Sequence, residues 1–466
     1  MKKILITLSV LLTIFNNLCQ AHSATSKQSN TVTFIIELDS TIVANPTVVV
    51  YDNAFYPYGS TLAENKIFKP ISSSGHIYKF IISAQDHPKY FTVTAPGKPL
   101  PMHFVKMFLL EPGDNIKMHI KRSSRLRDFD VTFSGEQSAK YTCRHKLKFV
   151  QDKQKGINIL NDHKSEMSKY AYQLLRADMI FWLLNFQVES HANQVSLSVG
   201  RHDTSKIAQL RAEYVQKYSI LDTTGIPNAV LFNSSEYLQY RYMDAKMRCY
   251  DVAPLYNVKV FFDEVKKIDD HALRDRMFVF YFINTWHNLR ESYNDILKEA
   301  IANTSDKMCL TKLRTYLHNA KGQNAYNFAL EDSRGKIVKL SDYKGKVVFI
   351  DFYFTGCTFC KIFYKDVLAD VEKKYATNQN IVFITISTDR DKDEWLSTLR
   401  KGEYTSSSSI NLYTNGMSGN HPLIKYYSIL GYPSLMLIDP EGRIVKFSSF
   451  EMRSKRELEA AIEAVL

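Results

Sequence analysis

An α/β domain at the C-terminal end, preceded by an antiparallel β-sandwich and an all-α middle region, is the fold class this 466-residue sequence predicts. Three observations carry it. Strand-like runs fill the chain up to 137, helix-like apolar stripes fill 138–322, and from 323 the two patterns alternate and close on an antiparallel pair. Length agrees with several cores, since one core rarely grows past about 250–300 residues. The expected divisions are 1–23, 24–137, 138–322 and 323–466, the first being a secretory signal peptide.

The signal reading rests on Lys2 and Lys3, the apolar stretch Ile4 to Phe15, and the small-residue region around Cys19-Gln20-Ala21. Cleavage after Ala21 or Ser23 would leave small residues where the peptidase reads, so the chain is expected to be exported to the periplasm or cell envelope. Cys19 is an alternative lipid-anchoring site, although Asn16-Asn17-Leu18 makes a poor lipobox. No later segment approaches the roughly 18 apolar residues that span a bilayer. Met277 to Leu289 comes nearest and is too short and too polar. The formal charge of +12 is spread along the chain without a lysine-arginine tract or a nucleic-acid motif, which reads as a solvated basic surface and excludes nucleic acid as a partner.

In the β-region, Thr31 to Leu38, Thr47 to Tyr51, Ile77 to Ile82, Tyr90 to Thr94, His103 to Leu110, Asn115 to Ile120 and Asp128 to Phe133 are β-branched or aromatic runs. Pro, Gly, Ser and Asn separate them, as turns require. About seven antiparallel strands in a sandwich follow, with Glu111-Pro112-Gly113-Asp114 as a turn. The middle region keeps apolar stripes at helical spacing, for example Tyr170, Leu174, Ala177, Phe181, Leu184 and Val188. Its tryptophans and tyrosines read as core filler. Among its histidines, His191, His202, His271 and His287 lack any ligand spacing, so no metal or other cofactor is expected. Asp269-Asp270-His271 reads as a helix N-cap.

The chemistry sits in KVVFIDFYFTGCTFCK, Lys346 to Lys361. Val347 to Phe352 is a short continuous apolar run, the mark of a strand buried on both faces, interrupted only by Asp351. Beyond a turn, Cys357 to Ala376 carries Phe359, Ile362, Phe363, Val367, Val371 and Tyr375 at helical spacing. Cys357 therefore stands at a helix N-terminus, where orphan N–H groups and the helix dipole favour a thiolate and make it the nucleophile. Cys360, one turn further in, is the resolving thiol. The remaining cysteines, Cys143, Cys249 and Cys309, read as buried free thiols, with one bridged pair left open.

From Ala325 onward the sequence resembles the thioredoxin-like reductases of the TlpA and ResA type. AYNFALEDSRGKIVKLSDYKGKVVFIDF matches their opening, their Gly-Lys hairpin and their lead into the active-site strand. FLLEPGDNIKMHI with VTFSGEQSAKY is similar to the β-domain that precedes the module in exported members. The resemblance implies that Tyr432-Pro433 is the cis-proline segment facing the cysteines, and that Asp351 is the buried acid beneath the resolving cysteine. It also implies that the Cys357–Cys360 pair cycles through a redox-active disulfide, and that Thr358, Phe359, Tyr432 and Pro433 meet the substrate. Gly356 replaces the usual tryptophan, and Thr358-Phe359 replaces Gly-Pro. Lys365 stands where a kinking proline is usual, which implies a straighter helix.

The expected activity is reduction of protein disulfides by the dithiol, with a membrane electron donor restoring it. A carboxylate held in an apolar strand, as Asp351 is, exchanges protons near neutrality and suits a proton acceptor for Cys360. Three other readings attach to the same residues. Gly356-Cys357-Thr358 is similar to a thiol-peroxidase site, but Phe354 stands where its threonine belongs. A metal site would use the two cysteines as half a ligand set. A cell-envelope binding protein with a redox-weak module would use the first two regions.

Overall fold

The computed structural model describes residues 31–51, 65–83, 88–95, 102–124, 128–218, 223–252, 258–285, 293–429, 431–447 and 450–466. The expected signal peptide and Cys19 lie outside the described residues. Those residues fall into two units, one running to Leu175 and one from Arg176 onward.

In the first unit, period-two burial makes sheets. Strand β1 (Thr31–Leu38) buries Val32, Phe34, Ile36 and Leu38, and β5 (Ile77–Ser83) buries Tyr78, Phe80 and Ile82. The others are β2 (Thr47–Tyr51), β3 (Asn65–Phe68), β4 (Ser72–Ser74), β6 (Lys89–Ala95), β7 (Met102–Leu110), β8 (Asn115–Arg122) and β9 (Phe129–Glu136). They form two sheets, ordered β4-β5-β1-β8-β9 and β3-β2-β6-β7. Two departures from the expected sandwich appear. β3 and β4 are additional, their short polar sequences giving little alternation to read. β1 and β8 run parallel, pairing Phe34 with Ile116, so the first sheet is mixed where antiparallel pairing was expected. Nothing local in either strand encodes that choice.

Helix α1 (Ser138–Leu147) follows β9 directly and sends Tyr141 among Phe34, Phe91, Phe108 and Phe133. The turn read from Glu111 to Asp114 does more than reverse the chain. Asp114 accepts 2.6 Å bonds from both the Lys140 ammonium and the Tyr141 hydroxyl, and Glu111 takes a second Lys140 bond at 2.7 Å. Lys140 and Asp114 are both fully buried, so this ion pair holds the helix to the sheet. Helix α2 (Lys153–Asp162), capped by Asp152, comes next.

The helical stretch continues as α3 (Lys169–Gly200), α4 (Thr204–Tyr218), α5 (Asn228–Leu231), α6 (Ser235–Val252), α7 (Val258–Lys266), α8 (His271–Thr285), α9 (Tyr293–Ala302) and α10 (Lys307–Thr315). Tyrosine and phenylalanine rings fill its interior, with Phe262 stacked on Phe278 at 5.3 Å and Tyr281 beside both Phe261 and Phe262, whereas Trp182, expected in the core, is exposed and Trp286 lies outside the described residues. Asp270 caps α8 by accepting the Leu273 N–H at 3.1 Å. Cys143, Cys249 and Cys309 are buried, and Cys143 and Cys309 are free thiols. Among the described residues no helix is long and apolar enough to cross a membrane.

The C-terminal sheet has seven strands: β10 (Ala329–Asp332), β11 (Ile337–Lys339), β12 (Val347–Tyr353), β13 (Ile381–Ser387), β14 (Ile410–Tyr413), β15 (Ser434–Ile438) and β16 (Ile444–Phe447). Their order is β11-β10-β14-β13-β12-β15-β16. β12 runs parallel to β13 and antiparallel to β15, and every one of its residues is buried, as its continuous apolar run requires. Val348, Ile350 and Phe352 face a core completed by Ile384, Leu412, Leu423 and Tyr427. Val347 and Phe349 face the other, under Phe363, Leu368, Val371, Leu458 and Ile462. Around the sheet lie α11 (Thr358–Phe363), α12 (Ala369–Tyr375), α13 (Lys392–Lys401), α14 (Pro422–Tyr426) and α15 (Lys455–Glu463).

The helix expected from Cys357 to Ala376 is continuous but not uniform. Tyr364–Leu368 forms a π turn between α11 and α12, at the position where Lys365 replaces proline. Loss of the ring therefore leaves a local irregularity of another kind. Phe359 and Ile362, counted in the buried stripe, are instead exposed. Cys360 and Phe363 take the inward positions of that first turn, which leaves the intervening residues facing solvent.

Candidate active site

Strand β12 delivers the site through a three-residue turn, Phe354-Thr355-Gly356. Thr355 is held at both ends. Its N–H donates to Asp389 Oδ1 at 2.7 Å and its hydroxyl to Asp389 Oδ2 at 2.8 Å. Asp389, just past β13, is buried and also accepts from the Ser387 hydroxyl at 2.8 Å. Gly356 adopts φ 94°, a left-handed conformation that suits glycine, and its N–H donates to the Tyr404 hydroxyl at 3.0 Å. The turn is thus fixed by side chains from beyond β13 and from the loop after α13.

Cys357 is the N-cap of α11, with extended backbone angles and its sulfur accepting the Cys360 N–H at 3.1 Å. Cys357 and Cys360 are joined as a disulfide, with Cα atoms 5.3 Å apart. Cys357 reaches the surface by a small margin while Cys360 is wholly enclosed. Both pack in an aromatic box of Tyr353, Trp395, Tyr404 and Tyr413. Tyr353 stacks on Tyr404 and Trp395 on Tyr413, so the first of these pairs also carries the hydroxyl that holds Gly356.

Thr358 and Phe359 occupy the exposed first turn of α11, Phe359 at 71% exposure. The Tyr432–Pro433 peptide is cis, as the sequence comparison implied. The Tyr432 ring meets Phe354 edge-on at 5.4 Å, and the Pro433 carbonyl accepts a 3.0 Å bond from the Arg453 guanidinium. Exposed Phe354, Phe359 and Ile362 leave apolar surface on the turn and first helical turn that carry Cys357.

Asp351 lies in the middle of β12 with no exposed surface, and neither carboxyl oxygen has a hydrogen-bond partner among the described residues. Burial pushes its pKa well above the usual carboxylate range, the charge of Glu372 pushes the same way, and Arg453 opposes them. Glu372, on α12, is itself buried and raised, again chiefly by burial.

Sequence reasoning singled out Cys357, Cys360, Asp351, Thr358, Phe359, Tyr432 and Pro433. It missed Asp389, Tyr404, Arg453 and Glu372. Asp389 had a weak signal, an acid directly after the apolar run of β13. Glu372 had another, since it lies four residues after buried Leu368 on the inward stripe.

Known proteins resemble this part of the chain. The family profile described as Thioredoxin-like matches residues 345–444. The thiol-disulfide oxidoreductase ResA of Bacillus subtilis is 29% identical over 127 residues, which cover 27% of this chain and 66% of that protein. The ResA of Bacillus thuringiensis subsp. konkukian is 27% identical over 146 residues, covering 31% of this chain and 78% of its own. Among solved structures, the thioredoxin domain of a thiol-disulfide oxidoreductase from Bacteroides vulgatus is 26% identical, with TM-score 0.27, covering 31% of this chain and 98% of its own. A thiol:disulfide interchange protein from Bacteroides sp. is 28% identical, with TM-score 0.27, covering 31% and 89%.

Proposed function

We propose that this chain, whose residues 345–444 form a thioredoxin-like domain, is an exported thiol-disulfide oxidoreductase that reduces disulfides in client proteins. One observation carries the reading: a CxxC pair caps a helix with its first sulfur at the rim and its second enclosed, on a strand that buries an unpaired acid.

In the reduced enzyme the helix N-terminus and the orphan N–H groups of its first turn favour the Cys357 thiolate. That thiolate attacks a client sulfur, the client S–S bond breaks, and the departing client thiolate takes a proton from water. Cys360 then gives its proton to the Asp351 carboxylate and attacks Cys357 Sγ. The mixed disulfide breaks, the second client sulfur leaves as a thiolate that takes a proton from water, and the enzyme keeps the two sulfurs joined. Client gains two electrons and two protons; the CxxC pair, counted from its dithiol form, loses the same. Export would put the protein in an oxidising compartment, so a membrane electron donor must restore the dithiol.

Thr358, Phe359, Tyr432 and Pro433 would receive the client. An apolar side chain at 71% exposure beside the nucleophile gains burial only when something covers it. Pro433 has no N–H, and Tyr432 beside it offers main-chain groups to an extended segment.

Reduction of insulin disulfides by the full chain, followed by trapping with Cys360→Ala, tests the reading. The expected result is turnover in the parent protein and, in the variant, client proteins held on Cys357 and released by dithiothreitol. A parent protein inert toward insulin, with no adduct in the variant, would overturn it.

A further inference from the structure

Asp351 can serve repeated turnovers only if the proton it receives can leave. Its own face of the sheet supplies polar groups in a direction leading away from the cysteines. On β13, Thr385 stands opposite Asp351 in the parallel register. The Thr385 hydroxyl donates to Asn411 Oδ1 at 2.7 Å and lies 3.2 Å from the Thr405 hydroxyl. Asn411 Nδ2 in turn donates to the carbonyls of Ser406 and Ser409 at 3.0 and 2.9 Å. These bonds fix the serine-rich loop before β14, and that loop meets Glu372: the Ser409 hydroxyl donates to Glu372 Oε1. Ser406 Oγ lies 3.4 Å from Ser409 Oγ and 2.7 Å from Ser408 Oγ, and Ser408 is exposed.

Glu372 makes poor sense as a structural residue. It occupies an inward position on α12, beside Val371 in a helix packed on the apolar face of β12. Its second oxygen, Oε2, is buried and unpaired, like both oxygens of Asp351. A buried carboxylate lacking a cation is costly, and an apolar side chain of similar volume would stabilise the helix better. The two acids are not hydrogen-bonded to each other, since these three oxygens all lack a partner, but they are near enough for the charge of Glu372 to act on Asp351.

We propose that Glu372, with the hydroxyls of Ser409 and Ser406, is the outlet through which Asp351 returns to solvent the proton it takes from Cys360. This rests on the dithiol reading above. The proton from the Cys360 thiol passes to the Asp351 carboxylate, then by way of a water molecule between the two acids to Glu372, then along the serine hydroxyls to solvent, leaving both acids as they began. Burial holds both carboxyls above their usual range, which places the exchange closer to neutrality. Other ionisable groups facing them are Arg453, which opposes the shift at Asp351, and Tyr353 and Tyr364, whose hydroxyls burial holds protonated.

The test uses the reduced full-length chain, with the buried carboxyl band titrated by difference infrared spectroscopy and assigned through Asp351→Asn. In Glu372→Gln the like charge is gone, so the Asp351 midpoint should fall by about one pH unit. The pH midpoint for resolving a preformed Cys357 mixed disulfide should fall with it. Ser409→Ala, which leaves both carboxyls in place, should slow that resolution several-fold, with Ser409→Thr restoring it. Superimposable midpoints in Glu372→Gln, or an unchanged rate in Ser409→Ala, overturn the proposal. A parent chain that reduces no disulfide fails the dithiol reading instead, and the infrared titration, which needs no client, tells the two failures apart.

Discussion

Replacing Asp351 by asparagine should stabilise the C-terminal domain, by an amount that grows with pH. Asp351 is wholly buried and has no hydrogen-bond partner among the described residues, so its folded-state pKa lies well above the 3.8 of the unfolded chain. Between those two values the folded state binds more protons than the unfolded state, and stability falls as pH rises. Below 3.8 both states are protonated and the penalty is absent. Above the folded value it is full and constant. Asparagine never ionises, so the advantage of Asp351→Asn over the parent should climb by about 1.4 kcal/mol per pH unit across that window, then level off. Urea titrations at half-unit steps from pH 4 to 9 measure it. Trp395 is fully buried against the cysteine pair and reports this domain alone in a Trp182→Phe, Trp286→Phe background. A stability difference that stays flat from pH 4 to 9 would refute the reasoning, because it would mean that the carboxyl titrates alike in both states.

Asp389→Asn keeps the shape but gives up the charge that two Thr355 bonds and the Ser387 bond share. A loss of about 2–3 kcal/mol in urea titrations, with slower insulin reduction, is the expected outcome. In the first unit, Lys140→Met strands Asp114 in the interior; about 3–5 kcal/mol should be lost at neutral pH, with partial recovery in acid as Asp114 protonates. Iodoacetamide should label Cys357 in the reduced native protein and leave Cys143, Cys249 and Cys309 untouched until denaturant is added, as mass spectrometry of peptides will show. Burial pushes Cys143 up to about 11, and raises Cys309 as well.

How far the sequence reveals this fold depends on how local the deciding interaction is. β12 was legible because burial on both faces writes itself as an unbroken apolar run, and β15 with β16 because Pro440-Glu441-Gly442 marks the turn between them. The parallel β1–β8 pairing was not, since it joins segments separated by six other strands and neither strand carries a preference for direction. The Glu111–Asp114 turn was legible as backbone geometry alone. That its last residue would be the buried partner of Lys140 depends on α1 docking over the same sheet, a fact absent from either segment taken singly.

The site divides along the same line. Cys357 and Cys360 lie three residues apart at the start of one helix, so the pair declares itself in four letters. The residues that hold their surroundings come from afar: Asp389 is 34 positions from Thr355, and Ser409 is 37 from Glu372. Apolar spacing misled at Phe359 and Ile362 for an instructive reason. Periodicity assigns apolar residues to the inside, but here Cys360 claims an inward position and the phenylalanine beside it is left in water. Full burial of such a side chain would be worth about 2 kcal/mol, and the fold forgoes it on the very turn that begins at Cys357. Glu372 is the converse, an acid kept inside where an apolar residue would stabilise more. Both exceptions run against stability, and both lie on the helical segment that begins at Cys357, which is where a requirement other than folding is acting.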